Sequence, residues 1–336
     1  MIKMNKLANA SIILIGVVVL ALVLKTLQLF LRPLALAIIL TLLLLPLMRF
    51  SKEKKIPFFI IIIGLFLILI VAVGFLGSLI GNEIAKIDKK PSNKGVIQIQ
   101  DFVSKISFGD RQVLLKYIEP EKIGQITISI IKSLIQAVRS IFSELFIALL
   151  FLVFLVPSHE TIIENIGKTM RKSKTAKFKS IISQTEKSVR DYVYAKSVIS
   201  LGTAIASAIV LLVFKADFIL IFAILFFILN FIPNIGSIIA VVLALLAFLL
   251  THGLSLNILW LGVLLILIQI LFGNLLEPKF AGGKLKLSPI IIILSLFLWF
   301  WIWGIVGMIL AIPITSIIKI VLEHIESTNK FAKLMS

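Results

Sequence analysis

The sequence predicts an all-α, polytopic membrane bundle with broken or re-entrant segments in its C-terminal half. Three observations carry that prediction. Of the 336 residues, 60% are hydrophobic, and mean hydropathy is +1.15. Apolar stretches of roughly 17 to 25 residues, the length that crosses a bilayer as a helix, recur along almost the whole chain. Proline and glycine then interrupt that pattern at 233–236, 273–278 and 303–307, between or inside apolar runs. A soluble chain of this length would need far more polar surface.

The first span is 8–24. Lys3 and Lys6 precede it and Ala35-Leu36-Ala37 follows, the outline of a secretory signal with a cleavage site. The run is too long for the apolar part of a signal, and Lys25 and Arg32 intervene before a second hydrophobic run, so it reads as a retained span. Spans 27–48 and 56–81 complete an N-terminal membrane region, 1–81. Residues 82–140 read as an extramembrane amphipathic insertion. There Val113, Leu114, Tyr117 and Ile118 follow Asp110 as a cap, and Ile123, Ile126, Ile130, Leu134 and Val138 follow Pro120. A single span, 141–156, fills the segment 141–157.

Residues 158–197 read as a basic amphipathic cytoplasmic segment. Phe178, Ile181, Ile182, Thr185, Val189, Tyr192 and Val193 recur at helical spacing, and Lys174, Lys177, Lys179, Lys187 and Arg190 lie off that stripe. Such a helix suits an anchor on a surface of anionic membrane lipid, with a lever or gate coupled to the next span as the alternative. The C-terminal membrane core, 198–322, holds runs at 198–214, 218–232, 235–250, 256–272 and 289–321, followed by a cytoplasmic tail, 323–336. The last run would make a helix about 50 Å long, against a hydrocarbon core of about 30 Å, which places a break at Trp303-Gly304-Ile305-Val306-Gly307.

Charge orients the chain. Arg49, Lys52, Lys54 and Lys55 crowd one short loop, which the positive-inside rule places in the cytoplasm together with the N-terminus. The insertion 82–140 is then outside and 158–197 inside. The inner segment carries nine Lys or Arg against four acids and the outer one ten against six, so the bias has the right sign and little strength.

The net charge of +18, from 34 Lys and Arg against 16 Asp and Glu, does not indicate nucleic acid. The cations cluster between spans, the footprint of topology and lipid headgroups. No cysteine is present, which excludes disulfides and thiolate metal sites. An enzyme finds little support. His159, His252 and His324 lack metal-ligand spacing, and Gly167-Lys168-Thr169 lacks the glycine that a phosphate loop needs at Ile162. Asp217 is the one aspartate near a span of the core, where an intramembrane aspartyl protease needs two. No cofactor or metal is implied.

What remains are polar groups in apolar sequence. Asn230 and Gln269 sit inside spans, where an amide usually bonds a neighbouring helix. Lys25, Arg32, Lys215 and Lys319 lie near span ends and snorkelling accounts for them, while Glu144 falls near a span start. Gly77-x-x-x-Gly81 and Gly202-x-x-x-Ala206 are small-residue faces that suit close helix contact.

Two turns differ from these. Asn230-Phe-Ile-Pro233-Asn234-Ile-Gly236 packs two amides, a proline and a glycine into one turn, and Gly273-Asn274-Leu-Leu-Glu277-Pro278-Lys279 adds a carboxylate where a helix is expected to stop. A carboxylate near hydrocarbon costs roughly 2 to 3 kcal/mol on insertion scales and needs a partner, a cavity or a solute. Lys279 or Lys284 would be a bland partner. A faint repeat relates Gly236-Ser-Ile-Ile-Ala-Val-Val to Gly307-Met-Ile-Leu-Ala-Ile-Pro, and paired broken helices point to a transport site.

At these residues the chain resembles the autoinducer-2 exporter family of bacterial membrane transporters. The resemblance rests on Phe231-Ile-Pro-Asn-Ile-Gly236, on Asn274-Leu-Leu-Glu-Pro-Lys279, and on Leu287-Ser-Pro289 with Trp303-Gly-Ile-Val-Gly-Met-Ile-Leu-Ala-Ile-Pro313, in that order and spacing. Specific motifs cover 230–322, and hydropathy agrees elsewhere. Ser237 stands where members often carry a second proline, and the run Trp299–Trp303 is unusually aromatic.

The resemblance implies about eight spans, each near bilayer length, in a homo-oligomer of the bacterial cytoplasmic membrane. It also implies secondary transport, either export of a small polar signalling molecule or exchange of sodium or lithium for protons. The expected substrate path is bordered by Pro233, Asn234 and Gly236, by Asn274, Glu277 and Pro278, and by Gly304 and Gly307. Glu277 is the expected coupling or binding carboxylate. The rival from another class is a structural or regulatory membrane protein that transports nothing.

Overall fold

The computed structural model describes residues 6–55, 57–89, 120–169, 172–281, 287–325 and 328–336. Its regular elements are helices: α1 (Lys6–Thr26), α2 (Gln28–Glu53), α3 (Phe58–Lys89), α4 (Pro120–Thr169), α5 (Lys172–Val213), α6 (Ile219–Leu229), α7 (Ile235–His252), α8 (Leu256–Gln269), a π-helical segment (Ile270–Leu276), α9 (Glu277–Ala281), α10 (Pro289–Glu323) and α11 (Asn329–Leu334). Among them six helices are long and apolar enough to cross a membrane, and three shorter ones are strongly apolar. The chain is a polytopic helical membrane protein.

Backbone contacts divide the chain into two compact units. The first comprises Met1–Gly64, Glu144–Val193 and Lys284–Ser336. Here α1 and α2 are separated by Leu27 alone. The Leu27 N–H still bonds the Val23 carbonyl at 2.9 Å and Leu31 bonds back to Leu27 at 3.0 Å. One residue in helical register bends a helix and does not reverse it, since helical hairpins need a loop of about two to five residues. The first two runs are therefore limbs of one bent rod, where the sequence had suggested successive crossings. At the bend, the Leu24 carbonyl accepts from Trp303 Nε1 at 3.0 Å, and the Lys25 ammonium lies 4.1 Å from the centre of the Trp301 ring.

The snorkelling reading holds less well for two other cations. Arg32 on α2 meets Glu144 on α4 at 3.2 Å, with the carboxylate buried. Lys319 is 2% exposed and lies 3.7 Å from Glu323. Each charge is compensated within the fold instead of reaching out to the headgroups.

The break in the last run is at Gly304, whose φ of 65° and ψ of −145° interrupt α10. Trp299 Nε1 donates to Thr315 Oγ1 at 3.3 Å. Sixteen residues of straight helix would separate that pair by about 24 Å. The chain therefore folds back at Gly304 into a helical hairpin, and its first arm, of about 22 Å at 1.5 Å per residue, is shorter than a hydrocarbon core of about 30 Å. Ser288 caps that arm by accepting from Ile291 N–H, and Pro289 opens it at a position where no N–H is needed. The predicted stripe on α5 is packed against protein: Thr185, Val189 and Tyr192 are buried, whereas Lys177, Lys179 and Lys187 are exposed.

The second unit comprises Leu65–Ser143 and Tyr194–Gly283. Its core is a second hairpin, α6 to α7. α6 has 11 residues, about 16 Å, too short to span. The repeat seen in the sequence corresponds to a shared device. Asn234 and Gly304 both adopt positive φ, and the glycine that follows each of them, Gly236 or Gly307, packs its bare Cα against the carbonyl of Leu229 or Trp299. Each hairpin thereby closes to backbone contact.

The divisions at 140 and 197 fall inside α4 and α5, because Pro120 opens one long helix and the amphipathic stripe of 178–193 continues into the next run without a break. Val113, Leu114, Tyr117 and Ile118 lie outside the described residues.

Candidate functional site

The 273–278 stretch was expected to end a helix, and instead it carries one onward. Pro278 has no N–H to return to the preceding turn. Upstream, the segment Ile270–Leu276 is wound as a π-helix, and the Glu277 N–H bonds the Phe272 carbonyl five residues back. The wider winding absorbs the missing bond, so α8, the π segment and α9 form a single helical path. Glu277 sits at its last joint.

Its partner comes from α5. Lys196, Ser200, Thr203 and Ser207 stand at i, i+4, i+7 and i+11, on one face of the apolar C-terminal half of α5, and all are buried. Thr203 turns its hydroxyl to the Ile199 carbonyl at 2.9 Å. Ser200 Oγ accepts from Asn230 Nδ2 at 3.0 Å, and Asn230 Oδ1 accepts from Ser237 Oγ at 3.4 Å, which ties α5 to the turn and to α7. Lys196 Nζ donates to Glu277 Oε1 at 2.6 Å. The pair is asymmetric, with the lysine side chain 2% exposed and the glutamate 24%. The carboxylate faces open space and the ammonium depends on it.

Two backbone features fix these helices. Gly202 on α5 takes the ring of Phe272 against its Cα, since a Cβ there would lie 2.4 Å from Phe272 Cε1. Asn234 has φ 60° and ψ −52°, and the Ile235 N–H returns to the Pro233 carbonyl at 2.6 Å. This is a γ-turn of the rare, strained hand, which non-glycine residues adopt only where surrounding structure enforces it.

Between these elements lies a cleft of about 560 Å³. One end is polar, with Lys196, Glu277, Asn274, Gln269, Asn234 and Ser237 on its walls. Of the residues expected to border a path, Pro233, Asn234, Asn274 and Glu277 line it. Gly236 is buried behind the turn and closes the hairpin, and Pro278 is exposed on the helix beyond. Gly304 and Gly307 belong to the other unit. The acid is held by Lys196 rather than Lys279, and Lys284 lies outside the described residues. Asn230 makes the interhelical bond expected of it. Gln269 does not. Both of its amide atoms are buried and have no hydrogen-bond partner among the described residues.

The contact at Gly202 gives a direct prediction. Gly202→Ala must displace the Phe272 ring from its seat on α5 and loosen the contact between α5 and the π segment, so transport is expected to fall several-fold. Gly202→Ala/Phe272→Leu should recover most of it, because the smaller side chain restores the approach. Flux in proteoliposomes at equal protein content measures both.

With this geometry in place, likeness to known proteins is informative. The AI-2E family transporter model matches residues 12–327. A candidate transport protein of Borreliella burgdorferi is 29% identical over 308 residues, covering 90% of this chain and 83% of its own. One from Haemophilus influenzae is 26% identical over 302 residues, 86% and 85% of the two chains. The AI-2 transport protein TqsA of Escherichia coli is 41% identical over 71 residues, 21% of each chain. A helical membrane chain with a polar cleft that matches this family over residues 12–327 belongs to the AI-2E transporters, and it is a multi-pass membrane transporter.

Proposed function

We propose that the protein is a secondary transporter that exports a small polar solute of the autoinducer-2 kind across the bacterial cytoplasmic membrane, as a homo-oligomeric permease without enzymatic activity. The cleft beside Lys196 and Glu277 is its solute path. The observation that carries this reading is the ion pair at the polar end, where a partly exposed carboxylate is offered to the cleft by a buried ammonium. Protonation of Glu277 or a hydrogen bond from the solute competes with that contact and loosens the joint between α5 and α9. Transport is thereby linked to the proton gradient.

The same pair disfavours exchange of sodium or lithium for protons. A metal cation on Glu277 would sit beside the Lys196 ammonium, and two like charges about 4 Å apart repel by on the order of 4 kcal/mol at an effective dielectric constant of about 20. A non-transporting role leaves the cleft and the strained turn without a purpose.

Glu277→Gln in proteoliposomes tests the proposal. Export of autoinducer-2 or a related polyol is expected to drop at least tenfold and lose its pH dependence, since the amide keeps the shape and discards the charge. Inverted vesicles should show no sodium-dependent collapse of a pH gradient. Normal flux with unchanged pH dependence in the variant overturns the role of Glu277, and a sodium-dependent collapse returns the antiporter reading.

A further inference from the structure

The cleft beside Lys196 extends well past its polar end. Along α7 the wall continues from Ser237 through Ile238, Val241, Val242 and Leu245, and along α8 from Gln269 back to Ile266, without another polar side chain. Ile238 is 64% exposed and Ile266 50% exposed, so this apolar half opens at the protein surface. Pockets that hold drug-sized ligands measure roughly 300–1,000 Å³. The volume here, about 560 Å³, lies within that range and exceeds what a solute confined to the polar end would fill.

The chemistry of the polar end is also specific. Its one cation and one anion compensate each other at 2.6 Å, so a solute gains nothing from carrying a net charge. Gln269, on the cleft wall, carries a buried donor and a buried acceptor that no group among the described residues satisfies. A buried amide left unbonded costs about 1–3 kcal/mol per group, and a hydroxyl can bond as both donor and acceptor, which matches both atoms. Gln269 lies where the polar wall gives way to the apolar one.

We infer that the solute is an uncharged amphiphile, with a hydroxylated head bonded to Gln269 and Glu277 and an apolar body of several carbons laid along Val241, Val242, Leu245 and Ile266. This rests on the cleft being the solute path, and it extends the small polar solute proposed above to one whose polar head carries an apolar body. Each buried methylene is then worth about a fourfold gain in affinity.

The chain has no cysteine, so Gly273→Cys places a unique thiol on the cleft wall at a position with open space around it. Protection of that thiol from a water-soluble maleimide, in nanodiscs, is measured with glycerol and its 1-O-methyl, ethyl, propyl and butyl ethers. Half-protection is expected at about fourfold lower concentration per added methylene. In Gly273→Cys/Leu245→Asn and in Gly273→Cys/Ile266→Ser, the latter at a half-exposed position that leaves folding intact, the dependence on chain length should flatten while glycerol protects as before. Equal protection by glycerol and the butyl ether overturns the inference. So does an unchanged dependence in both variants, which would report partition into the bilayer. Absence of any protection also overturns it and leaves a lipid chain or a second copy as the occupant. Flux in Glu277→Gln is read separately, so failure of either proposal is visible without the other.

Discussion

Loss of the Glu277 carboxylate is expected to destabilise the protein more than loss of the Lys196 ammonium, although either loss stops transport. The asymmetry follows from exposure. Lys196 has 2% of its side chain exposed, so Glu277→Leu strands a charge that water does not reach. Breaking a buried pair in this way costs about 3–5 kcal/mol. Lys196→Met leaves a carboxylate with 24% of its side chain exposed, which the cleft can hydrate, and the cost should be nearer 1–2 kcal/mol, the lower part of the range for an unsatisfied group. The double variant Lys196→Met/Glu277→Leu removes both charges and is expected to unfold close to the parent temperature, since apolar replacement of a buried pair is often neutral or better. Its flux should remain absent. Thermal unfolding in detergent and flux in proteoliposomes separate the two effects, and a double variant that transports normally would reduce the pair to a structural contact.

The second large effect is at the hairpin glycines. A Cβ on Gly236 would stand 1.7 Å from the Leu229 carbonyl oxygen, and one on Gly307 2.0 Å from that of Trp299. Both obstacles are backbone, so no side-chain rotation relieves them and the arms of each hairpin must separate. Gly236→Ala and Gly307→Ala are each expected to cost more than about 4 kcal/mol, beyond the usual range for single substitutions. The readout is loss of monodisperse protein in size-exclusion chromatography. Gly273→Ala is the control. Its Cβ meets nothing within 4 Å, and its behaviour should match the parent.

The sequence was informative where physics acts locally. Long apolar runs, the proline-glycine turns and the excess length of the last run announced a helical membrane protein with interrupted segments, and the break was located to within a residue or two of Gly304. The repeat between 236 and 307 was faint as sequence because only one function is shared, a glycine at a carbonyl, and the neighbours are interchangeable aliphatics. Glu277 and the amides of both turns stood out as misfits.

Lys196 did not stand out, since it lies among basic residues at the edge of an apolar run and looked like one more surface cation. The signal was present in its spacing to Ser200, Thr203 and Ser207, which marks a polar face on a helix that continues into the membrane. Arg32 and Glu144 were missed because they are 112 positions apart, and nothing local to either announces the other. The bend at Leu27 was missed for a related reason: two cations near a junction look like a loop, and only the third dimension supplies Trp301 and Trp303 to receive that segment. Gln269 was expected to bond a neighbouring helix, and its lack of a partner among the described residues is a property of packing alone.

The π-helical segment has a consequence for how this region tolerates change. Seven residues at the wide π winding, about 4.4 per turn, sweep nearly the angle that six cover at 3.6 per turn. The segment therefore holds one residue of slack: a loss at Leu271, Phe272, Leu275 or Leu276, none of which lines the cleft, can be absorbed by relaxation to ordinary α winding with Glu277 still facing Lys196. A second loss has no slack to draw on and would turn Glu277 off the cleft by about 100°, one residue's share of a 3.6-residue turn.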